Sequence, residues 1–196
     1  YRLFGRQSAQ GRAVFEADAA RTVSLLYSTV CVAVWVPFNE GWGQFNACRV
    51  AEQVRGMDPT RHIDAASGWH DQNCGDFCSR HIYYKKYRMR RDPCGRAQAL
   101  TEFGGYSCPA QGHMASNRLF GYKMDPDARA MSEAVEALDR REVLPAAARG
   151  LCSAVYTQVS DVEDEINGVF SYDRAVTKLD MGTAQRINAA LKGAGE

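Results

Sequence analysis

Three features of this 196-residue chain predict an α/β fold built on parallel strands. The run Val32-Ala33-Val34-Trp35-Val36 is continuously apolar, as a strand buried on both faces of a parallel sheet is. Short runs of this kind, at residues 32–38, 62–66, 77–84, 97–103 and 150–157, alternate with stretches of helical period. Two of the runs lead into a carboxyl, Glu40 or Glu102, with a glycine one or two residues behind it. Polar groups at the C-terminal mouth of a barrel strand tend to be catalytic, so these two are the first candidates for chemistry.

Taken in order, residues 13–27 put Val14, Ala17, Arg21 and Leu25 on one side and Phe15, Ala19, Val23 and Leu26 on adjacent positions, an amphipathic helix. The strand at 32–38 follows. Residues 47–56 read as a short helix with Asn46 as N-cap and Gly56 just past its end. Asp58-Pro59-Thr60 is a turn, and the strand at 62–66 runs into Ser67-Gly68-Trp69-His70-Asp71. After the strand at 77–84, the basic stretch 85–91 reads as a solvated loop. The strand at 97–103 ends in Thr101-Glu102-Phe103-Gly104-Gly105. The clearest helix is 125–149, with Asp125 as cap, Pro126 at its first position and an apolar stripe of Ala128, Met131, Val135, Leu138 and Val143. Pro145 is expected to kink or end it. The last strand, 150–157, gives way to a polar loop reaching Asp173 and a closing helix at 174–192.

Five strands with right-handed crossovers and no linker, repeat or low-complexity segment make one domain over 1–196. A complete (β/α)8 TIM barrel takes about 250 residues. The expectation is therefore an incomplete barrel, from the helix before its fourth strand to its last helix. An open five-stranded doubly wound sheet is the alternative.

Composition narrows the partners. A formal net charge of +1 favours neither nucleic acid nor an anionic membrane. No apolar run approaches the roughly 20 residues that span a bilayer. The first residues are polar and lack the apolar segment of a signal peptide. The chain does not begin with Met, so the start of the protein is expected upstream. Seven cysteines, an odd number without a small-scaffold framework, favour a reducing compartment and hence the cytoplasm. Cys31, Cys48 and Cys152 are read as small core residues.

Two carboxyls on barrel strand ends meet the needs of glycoside hydrolysis. One protonates the leaving oxygen, while the other attacks the anomeric carbon or activates water; a spacing of about 5 to 5.5 Å predicts retention. A cap, or a pairing with a nearby Arg, is the structural alternative for either Glu alone.

VPFNEGWGQF, DPTRHIDAASGWHD, the His81/Tyr83 pair, TEFGGYSCPAQGH and AVYTQVSDVEDEINGVFSYDR, in that order, resemble the catalytic barrel of glycoside hydrolase family 2. This family holds the bacterial β-galactosidases, β-glucuronidases and β-mannosidases, and the resemblance runs over residues 30–180. It implies a retaining, exo-acting β-glycosidase with a carbohydrate substrate and no cofactor or metal. By the same resemblance Glu40 is the acid/base, Asn39 holds the sugar's 2-hydroxyl, Glu102 is the nucleophile, and Tyr83 is the phenol bonded to it. Tyr84 adjoins and competes for that role. An acid/base needs a raised pKa and a nucleophile must stay ionised; Trp42 and Phe38 are candidates for the apolar wall beside Glu40.

Further binding candidates are Trp69 and His70 after the second of the five strands, His81 on the side of its strand that Tyr83 shares, His113 in a loop, and Gln158 and Glu165. Asp161, Glu163 and Glu165 either reach sugar hydroxyls or lie in a solvated loop; they lack the glycine and spacing of a calcium loop. His70, Cys74, Cys78 and His81 offer four zinc-type ligands, but a strand would point Cys78 away from His81. Tyr156-Thr157-Gln158 stands where the family has a Trp, and Tyr27-Ser28-Thr29-Val30 where relatives have Asn-His-Pro. The first three barrel strands, an Arg on the second of them, and the preceding β-sandwich domains have no counterpart. The missing N-terminal part of the same protein is therefore the expected partner. A non-catalytic, sugar-binding remnant is the competing function.

Overall fold

The computed structural model describes residues 5–194, which form two compact units. Of the described residues, the first comprises 5–81 and 90–101 and the second 82–89 and 102–194.

In the first unit, α1 (Ala9–Leu26) starts four residues earlier than its periodicity predicts. The reason is Ser8, whose hydroxyl accepts the Gly11 N–H at 2.9 Å and caps the first turn. The face of α1 that packs is that of Phe15, Ala19, Val23 and Leu26, while Val14 and Leu25 are exposed. The expected strand at 32–38 is only β1 (Val34–Trp35). It pairs in parallel with β2 (His62–Ile63), Val34 opposite His62 and Trp35 opposite Ile63. The apolar run is also not buried on both sides: Trp35 is 8% exposed and Val36 48%.

Helix α2 (Ala47–Met57) has Asn46 before it in the left-handed region without a side-chain cap, and Gly56 lies inside the helix. Asp58 ends α2, and its buried carboxylate accepts from Trp35 Nε1 (2.9 Å), Thr60 N–H (3.0 Å) and Arg61 (2.6 Å). Burial pushes that carboxyl up, but the bonds from Thr60, Trp35 and Arg61 outweigh it and hold it well below the usual range. Val23, Trp35, Ala51, Val54, Ile63 and Ala65 form one core cluster, and Phe38, Phe45, Ala47, Val50 and Ala66 another. Cys48 is bonded to Cys74, and Cys31 and Cys152 are exposed, so none of the three is a free core thiol.

Strand β3 (Phe77–Ile82) pairs with β4 (Ala97–Gly104), and β4 continues past Thr101 into the second unit, where β7 (Leu151–Thr157) is its other neighbour. Arg96, at the entrance of β4, is clamped by both carboxylate oxygens of Asp71 (2.9 and 2.6 Å) and by Asp92. In the second unit a short parallel pair was not anticipated: β5 (Tyr106–Ser107) with β6 (Lys123–Met124). The basic loop after β3 is exposed at Lys85, Lys86 and Arg88, but Tyr87 is buried and its N–H donates to Glu142.

The long helix begins later than expected. Asp127, not Asp125, caps α3 (Ala128–Leu138) by accepting the Ala130 N–H at 2.8 Å, which leaves Pro126 outside. A π-helical segment, Asp139–Val143, follows, and Pro145 sits in the first turn of α4 (Leu144–Ala147). The closing helix α5 (Met181–Gly193) starts at the Asp180 cap. The residues before it are held in a loop, because Lys178 is 1% exposed and donates to Asp161 (2.6 Å) and to the Cys108 and Ile166 carbonyls. Buried charge of this kind is tolerated only when paired and hydrogen-bonded. The described strands form sheets of two or three strands, and among the described residues they do not close into a complete barrel.

Two predictions follow from this packing. Five of the seven cysteines should react with a thiol reagent in denaturant without reductant, as counted by mass spectrometry; seven reacting would refute the Cys48–Cys74 bond. Asp139 is 3% exposed, with one carboxylate oxygen lacking a partner among the described residues, and burial raises its pKa to about 6. The folded chain therefore retains a proton that the unfolded chain releases near pH 4, so stability is full below that pH and is lost as pH rises from about 4 to about 6. Asp139→Asn should stabilise the chain at pH 7 by on the order of 2 kcal/mol and leave it nearly unchanged at pH 4, read from thermal or urea unfolding.

Candidate active site

Each candidate carboxyl is built within its own unit. In the first, backbone bonds extend the β1/β2 pairing beyond its regular strands: Asp64 N–H to Trp35 O (3.0 Å), Ser67 N–H to Phe38 O (2.9 Å) and Glu40 N–H to Ser67 O (3.0 Å). Asn39 and Ser67 face each other in an isolated parallel bridge, with the Ser67 hydroxyl donating to Asn39 Oδ1 at 2.7 Å. Glu40 thus sits just past a C-terminal strand end, as expected, at a left-handed φ of 53° that few non-glycine residues adopt.

Its carboxylate meets the His81 ring, Glu40 Oε1 to Nδ1 at 2.7 Å. His81 projects from β3 and is 4% exposed. The ring fits because residue 68 is glycine: a Cβ there would lie 2.5 Å from His81 Cγ, and φ is +82°. Beneath it Asp64 is buried, its carboxyl raised by desolvation against the Ser79 hydrogen bond and the nearby His81. Neither Asp64 nor Ser79 was singled out from the sequence; both lie in short polar-apolar runs indistinguishable from ordinary strand residues.

Of the two aromatic candidates for the wall beside Glu40, one is in the core and the other is largely exposed. Phe38 stacks on Phe15 at 5.0 Å and packs edge-on to Phe45 in the core. Trp42 is 64% exposed. Trp69 and His70 are both exposed, and the His70 carbonyl accepts from Gln44 at 2.9 Å. Cys74 is committed to its disulfide, which removes it from the zinc-type set.

In the second unit, three strand ends converge on Glu102. Tyr83 directly follows β3, Glu102 lies near the end of β4, and Thr157 is the last residue of β7. The Tyr83 hydroxyl donates to Glu102 Oε2 and bonds Thr157 Oγ1 at 3.2 Å. Burial first, and the Glu102 acceptor next, push the Tyr83 phenol far above its ordinary value, so it remains a donor throughout the physiological range. Of the two tyrosines, Tyr83 makes this bond; Tyr84 is 70% exposed. Gly105 is required here, since a Cβ would lie 2.7 Å from the Tyr122 ring and 3.0 Å from that of Tyr83 at a φ of +64°.

Gln158 and Glu165 are joined through Asn167: Gln158 Nε2 donates to Asn167 Oδ1 (2.6 Å), and Asn167 Nδ2 to Glu165 Oε1 (3.1 Å). Burial raises the Glu165 carboxyl, opposed by the Asn167 bond, and the charge of Glu102 raises it further. Gln158, Asn167 and Glu165 therefore belong to the surroundings of Glu102. Asp161 does not, being locked to Lys178 and the Gly168 N–H. Glu163 is exposed, and His113 pairs with Asp173 at 2.8 Å on the surface. Tyr122 and Thr157 were not anticipated as site residues, because nothing in their local sequence marks them.

The fit of His81 against Gly68 is testable. Gly68→Ala should destabilise the chain by about 2 kcal/mol, since the new methyl meets the ring and the backbone angle is unfavourable. Gly56→Ala, in a helix with open space around it, should stabilise by about 0.5–1 kcal/mol. Equal effects of the two in chemical unfolding would contradict this account of the site.

No protein-family model and no curated protein sequence matches this chain. Solved structures do. The β-glucuronidase of Faecalibacterium prausnitzii aligns with 92% of this chain and 35% of its own length, at a TM-score of 0.57 and 13% identity. A β-glucuronidase from an uncultured Clostridium sp. aligns with 95% of this chain and 38% of its own, at 0.65 and 13%. For the β-glucuronidase of Parabacteroides merdae the figures are 88%, 26%, 0.63 and 16%. The chain thus spans roughly a quarter to two-fifths of the structures it matches. At such identities the likeness is one of fold, an α/β architecture with parallel strand pairs similar to that of β-glucuronidases.

Proposed function

We propose that this chain is the C-terminal part of a (β/α)8 barrel from a retaining, exo-acting β-glycosidase of the glycoside hydrolase family 2 type. The observation that carries the reading is the Tyr83–Glu102 hydrogen bond, where the ends of β3, β4 and β7 meet, in a fold similar to β-glucuronidases. A buried phenol that keeps its proton can do little for a solvated surface carboxylate. It suits a nucleophile whose one oxygen must be held while the other attacks.

In this reading Glu102 attacks the anomeric carbon and forms the glycosyl ester. Glu40 gives its proton to the departing glycosidic oxygen. Glu40, now ionised, takes a proton from water, whose oxygen displaces Glu102 and restores both carboxyls to their starting states. His81 fixes one oxygen of Glu40, leaving the other for the proton transfer. Asn39, held by Ser67, is the residue for the sugar's 2-hydroxyl. Gln158, Asn167 and Glu165 form a polar chain next to Glu102 suited to hydroxyl or carboxylate recognition. The substrate is a terminal β-linked sugar, and β-glucuronides are the first to test because the similar structures are β-glucuronidases. The remaining barrel strands, supplied by the rest of the same protein, complete the working enzyme.

The longer protein should hydrolyse at least one member of a 4-nitrophenyl β-glycoside panel; failure on every member would overturn the enzyme reading in favour of a sugar-binding remnant. In that protein Glu102→Gly should abolish turnover, and added azide should restore it with formation of the inverted glycosyl azide. Glu40→Gln should lower kcat/KM by about 10²- to 10⁴-fold on poor leaving groups and far less on good ones. Tyr83→Phe should cost about 10- to 100-fold, the worth of one hydrogen bond to a charged group. An active Glu102→Gly enzyme without azide would reverse the role assignment.

A further inference from the structure

We infer that Glu165 is a specificity-determining residue: beside Glu102 it favours a glycone that is uncharged or bears an ammonium group, and disfavours one that bears a carboxylate. This rests on the glycosidase reading and deepens it by naming the class of sugar. The likeness to β-glucuronidases does not decide the point, because at 13–16% identity it is one of fold. Glu165 is joined to Glu102 by an unbroken run of bonded groups. Tyr83 holds Glu102 and bonds Thr157 Oγ1 at 3.2 Å. Gln158, next in the chain, donates to Asn167 at 2.6 Å, and Asn167 donates to Glu165 Oε1 at 3.1 Å. The backbone under the half-buried Glu165 is fixed as well. Its N–H donates to Val162 O at 2.9 Å, its carbonyl accepts from Val162 N–H at 3.0 Å, and it bridges in parallel with Phe120.

Two carboxyls therefore share one polar region. Burial raises the Glu165 carboxyl most, the Asn167 and Gln158 donors oppose that, and the charges of Glu102 and Asp164 raise it further. Each amide already turns an N–H inward, Gln158 to Asn167 and Asn167 to Glu165, and Arg118 pairs with Asp164 at 3.7 Å. The sugar attacked by Glu102 has its C5 substituent joined to the anomeric carbon through the ring oxygen alone. A uronate thus brings its charge next to Glu102 whichever side the leaving group takes. There it meets a second fixed negative charge, and repulsion of this kind discriminates between substrates. A sugar hydroxyl donates to Glu165 without that penalty, and an ammonium gains a charged partner. Of the hydroxyl and carboxylate groups that a polar chain of this composition meets, the second carboxyl favours the hydroxyl.

The test is kcat/KM of the longer protein at pH 7 on the 4-nitrophenyl β-D-glucoside, β-D-galactoside, β-D-glucosaminide and β-D-glucuronide, whose common leaving group isolates the glycone. The best of the first three should exceed the glucuronide by about tenfold or more. Glu165→Gln, which is isosteric and keeps an acceptor for Asn167, should narrow that ratio by about threefold or more. Glu165→Ala serves for the same measurement if the glutamine form does not fold. A smaller preference in the unaltered protein, or a smaller narrowing in the variant, overturns the inference. If no member of the panel is hydrolysed, the glycosidase reading fails instead. Ligand-observed NMR titration of the full chain with free D-glucuronate and D-glucose then decides the role of Glu165. A gain of about threefold or more in glucuronate binding relative to D-glucose in Glu165→Gln sustains it, and no such gain overturns it.

Discussion

The candidate site of the second unit is organised around one hydrogen bond, from the Tyr83 hydroxyl to the Glu102 carboxylate. It joins the residue following β3 to the end of β4, and Thr157 at the end of β7 makes the third contact. The bond is durable because burial raises the phenol, so the donor cannot be lost by ionisation at any ordinary pH. One of the glycines after Glu102 follows from it, while Gly104 makes room for the Tyr156 ring. Gly105 is where the Tyr83 and Tyr122 rings close on the backbone, and a side chain there would meet both rings.

The first unit solves a similar problem with different chemistry. Glu40 is held by an imidazole instead of a phenol, and the imidazole is seated on Gly68 with the buried Asp64 nearby. Several buried charges are held in company, Asp139 being an exception. Asp58 serves Trp35, Thr60 and Arg61; Arg96 is gripped by Asp71 and Asp92; Lys178 spends its three donors on Asp161 and two carbonyls. Removing one partner from such a set leaves a buried charge uncompensated, which costs more than the intact set contributes.

Some of this was legible in the residues and some was not. The alternation of strand and helix was, and so was the position of Glu40 and Glu102 at strand ends, because apolar period and glycine-rich loops are local signals. The preference for Tyr83 over Tyr84 rested on resemblance; in the fold Tyr83 is the one bonded to Glu102, while Tyr84 is 70% exposed. Boundaries fared worse. Asp127 displaced Asp125 as cap, and the apolar run at 32–38 narrowed to two paired residues with Val36 exposed. Trp42, a candidate wall for Glu40, is 64% exposed. Composition does not distinguish an aromatic that lines a site from one that adjoins it.

The sequence by itself determined the α/β class with parallel strands and the placing of Glu40 and Glu102 at strand ends, since hydrophobic period, caps and turn residues act over a few positions. Only the tertiary structure decided which partner each carboxyl has. His81 lies 41 residues from Glu40, and Thr157 lies 74 residues from Tyr83. The Cys48–Cys74 bond and the exposure of Cys31 and Cys152 were likewise settled there, against the local reading of all three cysteines as core. Such pairings arise where separate strand ends and loops meet, and no spacing along the chain encodes that distance. The glycines at 68 and 105 record it indirectly: each stands where a distant ring needs the space a side chain would fill.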